Sequence, residues 1–240
     1  TEKDAAVPLA AATYPGMAYI HQGWLTDDQR YYYMNDELDE LSGVERTRTL
    51  VWDIEDLDDP VLVKEHMGET SSSDHNLYIQ GQFMYQSNYV SGLRILDISD
   101  PTRPFVSGHW LHQEGFSNIV HDVFIGDGMA FVSDWFNGLA ILDLADPDNP
   151  VVLSSFHLED GAHSAWMDQG YVYFNQEFGG WEQPLHILDI ADPRNPVEMG
   201  IFRAQPPPFS EVLGPHNPYV RDGLLYWAYY DAGLRIFDVS

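Results

Sequence analysis

Five histidines recur at one point of a repeated unit: His21, His75, His121, His163 and His216. Each opens a short stretch that carries an aromatic residue three positions on, namely Trp24, Tyr78, Phe124, Trp166 and Tyr219. Neutral imidazole is the commonest side-chain ligand for borderline divalent metals, so rings converging from several repeats would hold Zn, Cu, Fe or Mn. Three or four such ligands with an open position would polarise a substrate oxygen or acidify a bound water. The competing reading is structural. A position filled alike in every repeat can serve the repeat itself, each imidazole hydrogen-bonding within its own unit.

A second set of candidates closes the next apolar stretch of each unit. It comprises Asp36 and Glu37, Asn88 and Tyr89, Asp134 and Trp135, Gln176 and Glu177 with Trp181, and Tyr230 and Asp231. These identities differ from repeat to repeat, as a specific binding face requires; ordinary variation of solvated loops would look the same. Tyr89, Glu177 and Tyr230 are the ones suited to act as acid or base beside a metal. Asp36, Glu37, Asp39 and Glu40 fill four of five consecutive positions. Their carboxylates suit Ca²⁺, but the spacing and glycine of known calcium loops are missing, and a solvated acidic loop explains them equally.

The elements that position these residues follow from the repeat. Asp53, Asp97, Asp143, Asp189 and Asp238 are spaced by 44, 46, 46 and 49 residues, the length of one four-stranded propeller blade. Within each unit the apolar pattern has the period of two of β-strands. A histidine-led strand is followed by an aromatic-rich one and by a Leu-x-Ile-Leu-Asp-Ile strand such as Leu93 to Ile98 or Leu139 to Leu144. Asp-Pro turns and an outer strand complete the unit, and the repeated aspartates read as turn caps. The chain is expected to be an all-β, single-domain β-propeller over residues 1–240, with repeats starting near 21, 75, 121, 163 and 216. Residues 1–14 are expected to supply the outer strand of the last of five blades, unless the array is part of a larger propeller. Asn35 to Arg48 and Ala204 to Gly214 exceed the period and read as loops. His66, His109, His157 and His186 fall outside the repeated position and are expected to face solvent.

Composition narrows the partners. The 240 residues carry a formal charge of −27, with 38 Asp and Glu against 11 Lys and Arg. Nucleic acid and anionic membrane both need a basic footprint, so neither is expected as a partner. No apolar run reaches the ~18 residues that span a bilayer. Cysteine is absent, which removes disulfides, thiolate ligands and a cysteine nucleophile. No Gly-x-Ser-x-Gly, phosphate-loop, dinucleotide or His-Glu-x-x-His pattern occurs.

The Leu-x-Ile-Leu-Asp-Ile strand followed by Asp-Pro-x-x-Pro resembles the LVIVD-repeat propellers. HQGWLTDDQRYYYMNDELDE, TRTLVWDIEDLDDPVLV and DHNLYIQGQFMYQSNYVSGLRILDISDP are similar, over about residues 1–102, to the choice-of-anchor B family of bacterial and archaeal surface proteins. The resemblance implies an extracellular or cell-surface propeller whose signal and anchor lie outside this chain, and it implies no particular reaction. Two functions are carried forward. One is a binding module for a protein, glycan or matrix ligand at the histidine-bearing face, with a histidine-ringed axial channel able to hold a metal ion; the alternative is a metal-dependent lyase, hydrolase or oxidase with the histidines as ligands.

Overall fold

The computed structural model describes residues 6–112, 118–158, 161–177, 182–205 and 214–240. Among them the chain is all-β, with nineteen strands and two single-turn 3₁₀ segments, and no helix is long and apolar enough to cross a membrane. The first sheet contains β1 (Ile20–Leu25), β2 (Tyr31–Asp36), β3 (Arg48–Asp53) and β4 (Val61–Met67), and the second β5 (Leu77–Gln80), β6 (Phe83–Ser87), β7 (Leu93–Asp97) and β8 (Phe105–Trp110). The third holds β9 (Val120–Gly126), β10 (Met129–Asp134), β11 (Gly138–Asp143) and β12 (Val151–Phe156). The fourth holds β13 (Ala162–Asp168), β14 (Tyr171–Gln176), β15 (Leu185–Asp189) and β16 (Val197–Phe202). β17 (Pro218–Arg221), β18 (Leu224–Ala228) and β19 (Leu234–Asp238) make the fifth. Neighbours in each sheet follow chain order, as in a meander. The chain divides into two compact units, Thr1–Gln86 with Ile95–Ser107 and Ser87–Arg94 with Gly108–Ser240.

The turn chemistry is local and repeats. In every sheet the aspartate closing the third strand accepts a hydrogen bond from the backbone N–H two residues on: Glu55 to Asp53 at 3.0 Å, Ser99 to Asp97, Ala145 to Asp143 and Ala191 to Asp189 each at 2.8 Å, and Ser240 to Asp238 at 3.0 Å. These are Asx turns, and they give the repeated aspartates the capping role expected of them. Gly138 answers a second local demand. Its φ is +92°, and an added Cβ would fall on the Phe156 carbonyl and lie 2.6 Å from the Leu158 nitrogen. Only glycine meets both conditions.

Alternation along the strands builds the core between adjacent sheets. On β14, Val172 and Phe174 join Phe131, Leu139 and Ile141 of the third sheet, while Tyr173 joins Val220, Leu225 and Trp227 of the fifth. In the first unit Tyr33 and Val51 pack with Leu77, Ile79 and Met84, and Met34, Leu50 and Trp52 form a separate cluster with Tyr14. Each such side chain contributes about 1.5–3 kcal/mol through removal from water.

Residues 1–5 lie outside the described residues, and the rest of the expected outer strand, residues 6–14, is not a strand. Residues 6–19 form no strand, and the fifth sheet has three strands among the described residues. Tyr14 is instead buried against the first sheet, with its hydroxyl donating to Asp36 Oδ2 at 2.7 Å and its ring 6.4 Å from Trp52. The Arg48 guanidinium holds the carbonyls of Pro15 and Gly16 at 2.9 and 3.0 Å. Pro8 and Pro15 also remove ladder donors from this stretch. The loop expected over Asn35 to Arg48 begins and ends inside strands, and between them Glu40–Ser42 forms one 3₁₀ turn that ends at Gly43. Most of the second insertion lies outside the described residues.

Candidate metal centre

Three of the repeated histidines, His21, His121 and His163, sit on a β-bulge. Pairing between β9 and β10 runs from Val120↔Asp134 to Asp122↔Ser133 and skips His121. It skips His163 between Ala162↔Gln176 and Ser164↔Asn175, and His21 between Ile20↔Asp36 and Gln22↔Asn35. A bulged residue re-aims its side chain and shifts the alternation by one. The histidine and the aromatic residue three positions on therefore share a side. In the first unit the His21 and His75 rings lie 3.9 Å apart and Trp24 and Tyr78 4.8 Å apart. In the second unit His163 lies 4.6 Å from His121 and 4.3 Å from His216, while Trp166 lies 4.6 Å from Phe124 and 4.3 Å from Tyr219.

Among the described residues, two groups bring donor atoms within 4.8 Å of one another, His121 with His163 and Glu177, and His21 with Glu37 and His75. The first group is buried, its members 7%, 1% and 4% exposed. Glu177 Oε2 lies 3.2 Å from His163 Nε2, and Oε1 lies 3.7 Å from His216 Nε2 and accepts from the Tyr230 hydroxyl. The Glu177 N–H donates to the Gly161 carbonyl at 2.8 Å, which holds the backbone of the carboxylate. Tyr89 and Trp135 wall His121, with ring centroids 6.0 and 5.1 Å away. His216 and Tyr230 form the open side, 33% exposed in the His216 side chain and 41% in Tyr230.

Hydrogen bonds behind His163 assign its tautomer. Asn175 Nδ2 donates to the Gln176 carbonyl at 3.2 Å, which turns Oδ1 toward Ser164, and the Ser164 hydroxyl donates to that oxygen at 2.8 Å. With its one hydrogen committed, Ser164 Oγ accepts from His163 Nδ1 at 3.2 Å. In neutral His163 the proton is thus on Nδ1, and Nε2 turns a lone pair toward the Glu177 carboxylate. A lone pair and a carboxylate oxygen so close repel in a buried site, and a cation beside them reverses the sign. A metal ion, a second proton on His163 or a proton on the Glu177 carboxyl would each relieve the repulsion. Ser164 and Asn175 were not singled out in the sequence, where only their cross-strand register would have revealed them.

The strand-tip candidates separate into two rows. Glu37, Tyr89, Trp135, Glu177 and Tyr230 face the histidines, fourteen residues after the repeated histidine in four units and sixteen in the first. The residues just before them brace the turns. Asp36, Asn88 and Asp134 are 0%, 1% and 0% exposed, so they do not form an accessible binding face. Asp36 accepts from Tyr14, Ala18 and Tyr19, and Asp134 Oδ1 from the N–H groups of Ile119 and Phe136, both at 3.2 Å. Burial opposes ionisation of Asp36, but the bonds from Ala18, Tyr14 and Tyr19 outweigh it and hold the carboxyl below its ordinary range. Gln176 is half-buried, and its N–H reaches the Pro184 carbonyl at 3.4 Å. Trp181 and the side chain of Asp231 lie outside the described residues.

The Ca²⁺ reading of the Asp36–Glu40 loop and its solvated alternative both give way to a buried brace. Asp39 is 0% exposed and pairs with Arg48 at 2.8 Å, and Arg48 also reaches Glu65 at 3.2 Å. No three acids of this loop bring donor oxygens within 4.8 Å of one another. Burial, and then the charge of Asp39, push the Glu40 carboxyl up to about 8. Burial and the charges of Glu40 and Asp39 also push the fully buried Asp74 well above its usual range. His109 and His157 are exposed as expected and His66 is half-buried. His186 is not exposed: it is 6% accessible, with Nδ1 on Glu198 Oε1 at 2.6 Å and its ring 5.6 Å from Phe156.

Comparison with known structures places the architecture. A periplasmic gluconolactonase from Pseudomonas aeruginosa superposes with a TM-score of 0.76 at 14% identity, over 98% of this chain and 71% of that one. A protein from Lactobacillus plantarum gives 0.68 at 14%, over 96% and 72%. The β-propeller domain of a protein from Myceliophteria thermophila gives 0.63 at 11%, over 92% and 70%. At these identities the likeness is one of fold, and the fold is a β-propeller of four-stranded sheets. No curated protein sequence matches the chain. The LVIVD repeat matches residues 74–111, 119–157 and 162–204, together half of the sequence, and the chain belongs to the LVIVD-repeat family.

Proposed function

We propose that this LVIVD propeller is a metal-dependent enzyme of the choice-of-anchor B type, working outside the cell or at its surface, with His121, His163 and Glu177 holding one divalent transition metal. The observation that carries the reading is the buried donor set itself, two imidazoles and a carboxylate within 4.8 Å, one imidazole having its proton placed on the far nitrogen by Ser164. Two histidines and one carboxylate with an open position suit Zn, Fe, Mn or Cu. Such an ion supplies Lewis acidity toward a substrate oxygen or a bound water, which fits a hydrolase or lyase. Among the chain's own groups, Tyr230 donates to Glu177 from the exposed rim and can move a proton at its phenolic oxygen, with His216 beside it.

A binding role keeps one observation in its favour. Val90 and Phe136, 39% and 38% exposed, present apolar tips beside Tyr89 and Trp135, a surface suited to a protein or glycan ligand. Purification without chelators followed by elemental analysis separates the two. Retained transition metal that is lost in His163→Gln supports the metal centre the enzyme requires, while a metal-free chain that takes up none on addition removes the enzyme and leaves the binding module.

A further inference from the structure

The first unit carries a second donor set of the same composition, built from the same repeat positions. His21, Glu37 and His75 each offer one ligand atom, all within 4.8 Å of one another. Glu37 occupies the position held by Glu177 in the fourth repeat, while the other three repeats place Tyr89, Trp135 and Tyr230 there. None of those three brings a carboxylate. Of the five repeats, only two can complete a pair of imidazoles with a carboxylate from this row.

The hydrogen-bond logic recurs with different partners. His21 Nδ1 lies 3.3 Å from the His75 carbonyl, which only accepts, so the proton of neutral His21 is on Nδ1 and Nε2 is left with its lone pair. The same carbonyl receives Asn35 Nδ2 at 3.5 Å. The His21 and His75 rings stack at 3.9 Å with 32° between their planes, a packing that two imidazolium cations would resist. The frame is anchored on both sides, by Gln22 Oε1 accepting from the Leu77 N–H at 2.6 Å and by the Glu37 N–H donating to the Tyr19 carbonyl at 3.0 Å.

We propose that His21, His75 and Glu37 form a second, independent binding site for a borderline divalent cation, so that the chain binds two ions rather than one or five. The two donor sets share no residue. His21 and Glu37 are half-buried whereas His121, His163 and Glu177 are buried, so the second ion is the more weakly held and the faster to exchange.

The test is titration of metal-free full chain with Zn²⁺ by calorimetry and with Co²⁺ by visible absorption, on wild type, Glu37→Gln, Glu177→Gln and the double variant. Two equivalents in wild type, one in each single variant and none in the double support the proposal. One equivalent in wild type that is unchanged by Glu37→Gln overturns it and leaves the buried centre standing. Loss in Glu37→Gln but not in Glu177→Gln supports the second site and removes the buried one. No change in either variant overturns both. His21→Gln, at a half-exposed position, repeats the readout should Glu37→Gln fold poorly.

Discussion

Replacing Glu40 with glutamine should stabilise the protein above neutrality and leave it unchanged in acid. Both Glu40 oxygens are buried next to Asp39, and burial and the Asp39 charge push the carboxyl from 4.5 up to about 8. A folded state that binds the proton more tightly than the unfolded chain is most stable below about pH 4.5, and that stability is lost as pH rises through about 8. At ~1.4 kcal/mol per pH unit the whole interval would cap the effect near 5 kcal/mol. Glu40 is half-buried as a residue and its charge is partly screened, so about 1–3 kcal/mol at pH 8 is the expected gain. For a chain of this size that is roughly 3–10 °C in melting temperature. A glutamine amide can still donate to the neighbouring Asp39 carboxylate. Thermal melts of wild type and Glu40→Gln at pH 5, 6, 7 and 8 give the readout. A gain that grows with pH supports the buried-brace description, while a pH-independent difference, or a loss at pH 8, refutes it.

Other expectations follow from single contacts. Asp36→Asn reverses the sign: the native carboxyl is held low, so its contribution is present above the unfolded value near 4 and lost as pH falls, and the substitution should cost about 2–3 kcal/mol at pH 7 and much less at pH 3 in chemical denaturation. Gly138→Ala should destabilise by more than about 2 kcal/mol, since the new Cβ meets backbone on β12 and the residue after it at a positive φ, whereas Gly200→Ala, open on all sides, should cost far less in the same melts. Ser164→Ala should weaken metal affinity of the second unit about 10–100-fold without removing a ligand, by releasing the His163 tautomer. Competition with a chromophoric chelator measures that change.

How legible these features were depends on whether they repeat. The third strands and their aspartate caps occur in every unit and depend only on neighbours in sequence, so spacing and turn chemistry sufficed for them. The histidines were equally visible, but their grouping was not. It is decided by the residue fourteen or sixteen positions later, and Glu37 and Glu177 look in the sequence like the variable tips of other repeats. The bulge explains why those tips were read as one class. Strict alternation cannot tell which of Asp36 or Glu37, or of Gln176 or Glu177, turns toward the imidazoles, because the extra residue in β1 and β13 shifts the phase. The acidic run Asp36–Glu40 misled for a different reason. Its charge suggested solvent or calcium, yet Tyr14, which precedes β1, and Arg48, at the far end of the insertion, cover it. The same two residues tie the stretch before β1 to the first sheet.

The central claim is most directly tested by a crystal structure of chelator-free protein with anomalous data collected at the edge of the metal found by elemental analysis. The expected result is an anomalous peak bound by His121, by His163 through Nε2 and by the Glu177 carboxylate, with Ser164 still on His163 Nδ1. Direct hydrogen bonding of His163 Nε2 to Glu177, with no peak there even after soaking in Zn²⁺ or Mn²⁺, would contradict it and return these residues to a structural ion pair.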